Sequence, residues 1–121
     1  MIKIQNGKIY DLEERTSQFA KRTRSFVKKI NKTIGNIQDG KQLIRSSGSV
    51  GANYIEANEA FSKKDFVVRI KICRKEAKES RYWLELVDLN ANTELEKERQ
   101  ELIQEATELM NIFGSIIRKS E

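Results

Sequence analysis

The sequence predicts an all-α fold, specifically an antiparallel up-down-up-down four-helix bundle. Three observations predict it. The 121 residues contain no proline, and 34% are charged, a composition that favours long uninterrupted helices over a loop-rich β fold. Four segments repeat their apolar residues at alternating spacings of four and three, the signature of one buried helical face. The connections between these segments are short, which makes neighbouring helices antiparallel.

Taken in order, residues 1–10 read as an N-terminal arm and residues 11–121 as a single bundle domain. In the arm, Ile2, Ile4, Ile9 and Tyr10 flank Asn6-Gly7, a short-hairpin signal. A lone hairpin is marginal in water, so a frayed tail is an equal alternative unless the hairpin docks. Helix 1 is expected over residues 12–32, capped by Asp11 with Glu14 three residues on. Its seam is Leu12, Thr16, Phe19, Thr23, Phe26 and Ile30. At about 100° per residue, Lys21, Ser25, Lys28 and Lys32 fall opposite that seam, with Arg22, Arg24 and Lys29 on the flanks.

Residues 33–40 read as a loop because Gly35 and Gly40 interrupt the pattern. Asp39 is then the cap of helix 2, with Gln42 as its partner. Helix 2, expected over about residues 40–60, is unusual. Its segment Arg45-Ser46-Ser47-Gly48-Ser49-Val50-Gly51-Ala52-Asn53 carries small side chains nearly throughout. Glycine inside a helix costs about 1 kcal/mol against alanine, so close approach of a neighbour is the implied compensation. Leu43, Ser47, Val50, Tyr54 and Ala57 form the thin seam.

Ser62-Lys63-Lys64-Asp65 is a capping box and opens helix 3. Its seam is Phe66, Ile70, Cys73, Ala77, Ser80, Leu84 and Val87. A second set, Val68, Ile72, Trp83 and Leu86, lies away from that seam, which points to a second buried surface and hence to self-association; a broad core face packed under loops is the alternative. Asn90-Ala91-Asn92 forms a turn, Thr93 caps helix 4 with Glu96, and Leu95, Leu102, Ala106, Leu109, Phe113 and Ile116 form the last seam, widened by Ile103, Met110 and Ile117. Glu94 and Glu96 begin this helix, and Arg118 and Lys119 end it, as the macrodipole favours.

The chemistry is marked by what is missing. The chain has no histidine, which removes Ser-His-Asp and Cys-His pairs and the Glu-x-x-His motif of di-iron bundles. No catalytic, cofactor-binding or metal-ligating set is assigned, and no cofactor is expected. Gly48-Ser49-Val50-Gly51 lacks the Gly-Lys-Ser/Thr ending of a phosphate loop and the strand before it. Cys73, the single cysteine, falls on a core face and reads as a buried thiol in a reducing, cytoplasmic setting. No signal peptide or membrane-spanning run is recognised, so no membrane partner is expected. Arg45, Ser49, Asn53 and Glu56 form a polar strip along helix 2. It reads as a packing strip, an inter-helix or inter-subunit hydrogen-bond network, with a ligand site or nucleic-acid contact as alternatives.

Charge supplies the positive signal. Residues 21–45 hold eight basic side chains against one acid, and residues 63–81 hold eight against three. Residues 94–121 reverse the balance, with four bases against seven acids. The basic excess thus belongs to helices 1 and 3. Lys21, Arg22, Lys28, Lys29, Lys32, Lys71, Lys75 and Lys78 are the candidate contacts to the phosphates of RNA or DNA; a merely solvated face is the alternative.

Three segments in fixed order carry a resemblance: Arg45-Ser46-Ser47-Gly48-Ser49-Val50 with Asn53-Tyr54-Ile55-Glu56-Ala57; Ser62-Lys63-Lys64-Asp65-Phe66; and Lys75-Glu76-Ala77-Lys78-Glu79-Ser80 with Tyr82-Trp83-Leu84. With the opening Tyr10-Asp11-Leu12-Glu13, the chain resembles the bacterial 23S rRNA intervening-sequence proteins over residues 10–116. The resemblance implies an up-down-up-down bundle assembled as a ring-like homopentamer. It also brings in the related accessory proteins of diversity-generating retroelements, which bind a reverse transcriptase and nucleic acid through basic surfaces. It offers no catalytic residues. A structural or adaptor module for a reverse transcriptase or ribosomal component is the alternative it leaves beside direct nucleic-acid binding.

Overall fold

A computed structural model describes the backbone of residues 2–5 and 8–121 and the side chains from residue 11 onward. Two short strands, β1 (Ile2–Gln5) and β2 (Lys8–Asp11), pair antiparallel in the register Ile2↔Asp11 to Gln5↔Lys8. The expected Asn6-Gly7 turn lies outside the described residues. Asp11 then passes the chain directly into the bundle.

Four helices follow: α1 (Leu12–Lys29), α2 (Ile34–Asn58), α3 (Lys63–Leu86) and α4 (Thr93–Ser120). Each N-terminus is closed by a side-chain oxygen that accepts from a backbone N–H three residues on: Asp11 from Glu14, Thr33 from Asn36, Ser62 from Asp65 and Asn92 from Leu95. These bonds satisfy donors that a helix start otherwise leaves open. Consecutive helices run antiparallel and α4 closes against α1. Every helix has two neighbours in the bundle, and α1 and α3 stand diagonally across it.

The seams meet in one continuous core. Phe19, Phe26, Leu43, Val50, Tyr54, Ile70, Leu84, Leu102, Leu109 and Phe113 are all buried within it, and Tyr54 packs against Phe113 with ring centroids 6.1 Å apart. Cys73 is fully buried there, and burial pushes its thiol up to about 12, out of reach of thiolate chemistry at neutral pH.

The structure corrects several element boundaries. Helix 1 stops at Lys29 rather than residue 32. The expected loop over residues 33–40 is largely helix: α2 begins at Ile34, its cap is Thr33 and not Asp39, and it ends at Asn58. Gly35 and Gly40 sit inside that helix. Gly40 has a packing reason, since a Cβ there would lie 3.2 Å from Val27 Cγ1. Asn36 anchors the new first turn from a buried position. Its amide donates to Asn31 O and Asp88 O, and its oxygen accepts from Asp88 N, so one side chain ties the α1–α2 connection to the α3–α4 connection. At α4 the cap is Asn92 rather than Thr93, because Asn90 and Ala91 both take left-handed backbone (φ 53° and 61°) and turn the chain one residue earlier. Ile117, rather than Ile116, completes the α4 seam in the core.

Candidate functional site

The small segment of α2 makes the geometry of every candidate site. A Cβ at Gly51 would come within 2.8 Å of Thr16 Oγ1, so α1 lies close against α2 along this stretch. On the other side, Ser46 and Ser80, both buried, meet with their hydroxyl oxygens 2.8 Å apart. Small residues thus draw α2 against both neighbours, and the longer polar side chains between them are forced into contact.

Two of the four members of the strip Arg45, Ser49, Asn53, Glu56 reach α3, Arg45 and Asn53, and Ser49 holds Asn53 in place from the same helix. Arg45 Nη2 lies 3.0 Å from Glu79 Oε1, and Arg45 Nη1 lies 3.3 Å from Oε1 of the nearly buried Glu76. Nη1 donates to the other oxygen of Glu76 at 3.4 Å. The bond to Glu76 raises the Arg45 pKa above its ordinary value. Asn53 donates to Ser49 O and Oγ, and accepts from Arg69 Nη1 at 3.0 Å. Glu56 stands apart, exposed at the edge of a hollow lined also by Glu59, Phe61, Asp65, Val68 and Ile72. The strip's contacts are those of a helix–helix fastening, and no group of acidic, cysteine or histidine side chains able to hold a metal ion occurs among the described residues.

The eight basic residues divide. On α1, Lys21 and Lys28 are exposed opposite the buried seam, and Lys32 is exposed in the connection that follows the helix. Arg15, Arg22 and Lys29, spaced by sevens, form a different stripe that faces the acids of α4. Arg15 Nε lies 2.8 Å from Glu105 Oε2 and its Nη2 2.7 Å from Glu108 Oε1. Lys29 Nζ lies 3.1 Å from Glu98 Oε2, and Arg22 lines a groove with Glu101, Glu105 and Glu108. The Gln104 amide, and after it Arg15, hold the Glu108 carboxyl below the usual carboxylate range. Arg22 and Lys29 therefore face carboxylates of their own chain.

On α3, Lys75 and Lys78 are exposed and without an acidic partner among the described residues, while Lys71 lies 3.4 Å from Glu121. Sequence reasoning missed three further bases on this side. Arg74 is exposed, Arg81 donates to Thr107 of α4, and Arg118 of α4 lies over Gly114, where a Cβ would be 3.4 Å from its Nη1. The signal lay in their spacing: Arg74 and Arg81 are seven residues apart, on the flank of α3 that turns toward α4. Because α1 and α3 are diagonal, the two lysine sets face opposite sides of the bundle and do not form one surface.

The proposed second apolar face of α3 is mixed. Val68 and Leu86 are 49% and 46% exposed. Ile72 is half-buried, and Trp83 packs its indole against the core. Lys75 and Tyr82, each seven residues from Val68 or from one another, border that face on the side away from Ile72 and Trp83.

The model of the family described as 23S rRNA-intervening sequence protein matches residues 10–115. Among solved structures, a protein of unknown function from the S23 ribosomal protein family of Bacteroides thetaiotaomicron is similar to this chain. It is 30% identical, with a TM-score of 0.72, over 88% of this chain and 98% of its own. No curated protein matches.

Proposed function

Since the chain belongs to the 23S rRNA-intervening sequence protein family, we propose that it is a non-enzymatic, homo-oligomeric bundle that binds RNA or DNA through basic faces on α1 and α3. The observation that carries the reading is the set Lys21, Lys28, Lys32, Lys75 and Lys78, exposed and free of acidic partners among the described residues. Cations left unneutralised by their own fold attract a polyanion and release its counterions. Lys71 adds to this set, because its pair with Glu121 is exposed on both sides and contributes little. Lys29, paired with Glu98, and Arg22, beside Glu101, Glu105 and Glu108, belong to the flank of α1 that faces the acids of α4. The test is charge reversal on each face separately. Lys28→Glu with Lys32→Glu, and Lys75→Glu with Lys78→Glu, should each weaken RNA binding in a gel or anisotropy titration. Unchanged binding in both would overturn the reading.

Self-association is the second part of the proposal, with Val68, Ile72, Trp83 and Leu86 as the contact. Its support is that Val68 and Leu86 remain half in solvent, and covering each such side chain gains on the order of 1 kcal/mol. The family resemblance points to a pentamer, and the lone buried Cys73 to a reducing, cytoplasmic setting. Light scattering at micromolar concentration should give a mass above the monomer, and Leu86→Asp should lower it.

A second reading, an adaptor for another protein, is favoured by one observation. Phe61 is fully exposed beside the hollow formed by Glu56, Glu59, Asp65, Val68, Arg69 and Ile72, an aromatic anchor with a charged rim. A partner retained after nuclease treatment and lost on Phe61→Ala would favour it.

A further inference from the structure

The α3–α4 side of the bundle carries a group that phosphate neutralisation does not require. Lys71, Lys75, Lys78 and Tyr82 follow one another at intervals of four, three and four, a strip roughly 16 Å long at 1.5 Å per residue. Arg74 is exposed on the α4 flank of the strip, and Arg118 lies across Gly114 on the facing helix. Tyr82 is 54% exposed. Its ring is nevertheless held, because it meets Trp83 nearly edge-on with centroids 5.1 Å apart, and Trp83 is itself packed against the core. A fixed, solvent-facing aromatic ring at the end of a line of cations is the pairing that single-stranded nucleic acid uses: bases stack on the ring while the cations follow the backbone. The α1 face, with Lys21, Ser25 and Lys28 and with Lys32 just beyond the helix, has no aromatic group among its exposed positions.

We propose that this outer face of α3 is a site for single-stranded nucleic acid, with one unpaired base stacked on Tyr82 and the phosphates held by Lys71, Lys75 and Lys78. This deepens the nucleic-acid reading above and rests on it. A duplex keeps its bases stacked on each other and offers only its backbone, so this face separates single strands from duplexes through Tyr82 alone.

Trp83 is the only tryptophan and meets the Tyr82 ring, so its fluorescence, read where light scattering gives one constant mass, reports occupancy of this site. The experiment titrates the full chain with oligouridylate, with oligothymidylate and with an oligouridylate–oligoadenylate duplex of equal length. Single strands of either sugar should quench Trp83 and bind more tightly than the duplex. Tyr82→Ala should lower single-strand affinity about 5- to 100-fold, with duplex affinity and salt dependence unchanged, and Tyr82→Phe should retain wild-type affinity. Equal affinity for duplex and single strand, or no effect of Tyr82→Ala on a single strand that does bind, overturns the Tyr82 site while leaving the broader reading standing. Absence of binding by all three probes overturns both.

Discussion

Of the glycines in the helices, Gly51 is the most tightly overlain, by Thr16 of α1. The Thr16 hydroxyl donates to Leu12 O at 2.7 Å, which fixes its oxygen where a Cβ at position 51 would arrive 2.8 Å away. Gly51→Ala should therefore destabilise by about 1–3 kcal/mol through overpacking. Gly35, with no atom within 4 Å of its would-be Cβ, should respond oppositely: Gly35→Ala gains up to about 1 kcal/mol in helix propensity. Chemical denaturation of the two variants checks the contrast. Ala91, at φ 61°, holds a conformation that costs a side chain about 1 kcal/mol, so Ala91→Gly should stabilise by a similar amount. Charge acts at the same scale. Arg99 Nη2 lies 2.6 Å from Glu96 Oε1, and its Nη1 donates to Val87 O, the residue that ends α3. The Arg99 hydrogen bond, then that of Gln100, lowers the Glu96 carboxyl from 4.5 to about 2. Because the folded value lies below the unfolded one, any stability from this pair is present above about pH 4.5 and is lost as pH falls toward 2. A side-chain carboxyl titration by NMR should place Glu96 near 2; a midpoint near 4.5 would contradict the contact.

At the scale of the element, α2 decides the lesson. Its seam is legible in the sequence because Leu43, Ser47, Val50, Tyr54 and Ala57 keep helical spacing, and all five are buried. Its start is not legible, because Gly35 and Gly40 look like breakers until Val27 is seen beside Gly40. Thr33 and Asp39 each have a plausible cap position in one dimension. What selects Thr33 is tertiary: Asn36, in the first turn it closes, must reach Asp88 more than fifty residues away. Thr33→Ala should cost about 1 kcal/mol and Asp39→Ala almost nothing. Asn36→Ala should cost about 3 kcal/mol, since it leaves two carbonyls and an N–H without their partner in a half-buried connection. Thermal melts of the three variants test that order. The polar strip is legible in the same partial way. Its four residues share a face, but the acids that receive Arg45, Glu76 and Glu79, come from α3, and no spacing within α2 could name them.

For the whole molecule, diagonal placement governs the electrostatics. The surplus of bases in residues 21–45 and 63–81 is visible in the sequence, yet which bases remain free depends on which helix each flank meets. The acidic α4 pairs with Arg15 and Lys29 of α1 and sets Glu101, Glu105 and Glu108 beside Arg22. Two separate basic faces result, and a polyanion that contacts one does not touch the other on the same subunit. The four-helix order was within reach of periodicity because each seam is apolar; the partition of charge was not, because it is a property of neighbours. The most direct test of nucleic-acid binding is the salt dependence of affinity for a single-stranded RNA. With about three lysines of one face neutralising phosphates, the logarithm of the binding constant should fall against the logarithm of salt concentration with a slope of about −2. A slope near zero, or no binding at low salt, would contradict it.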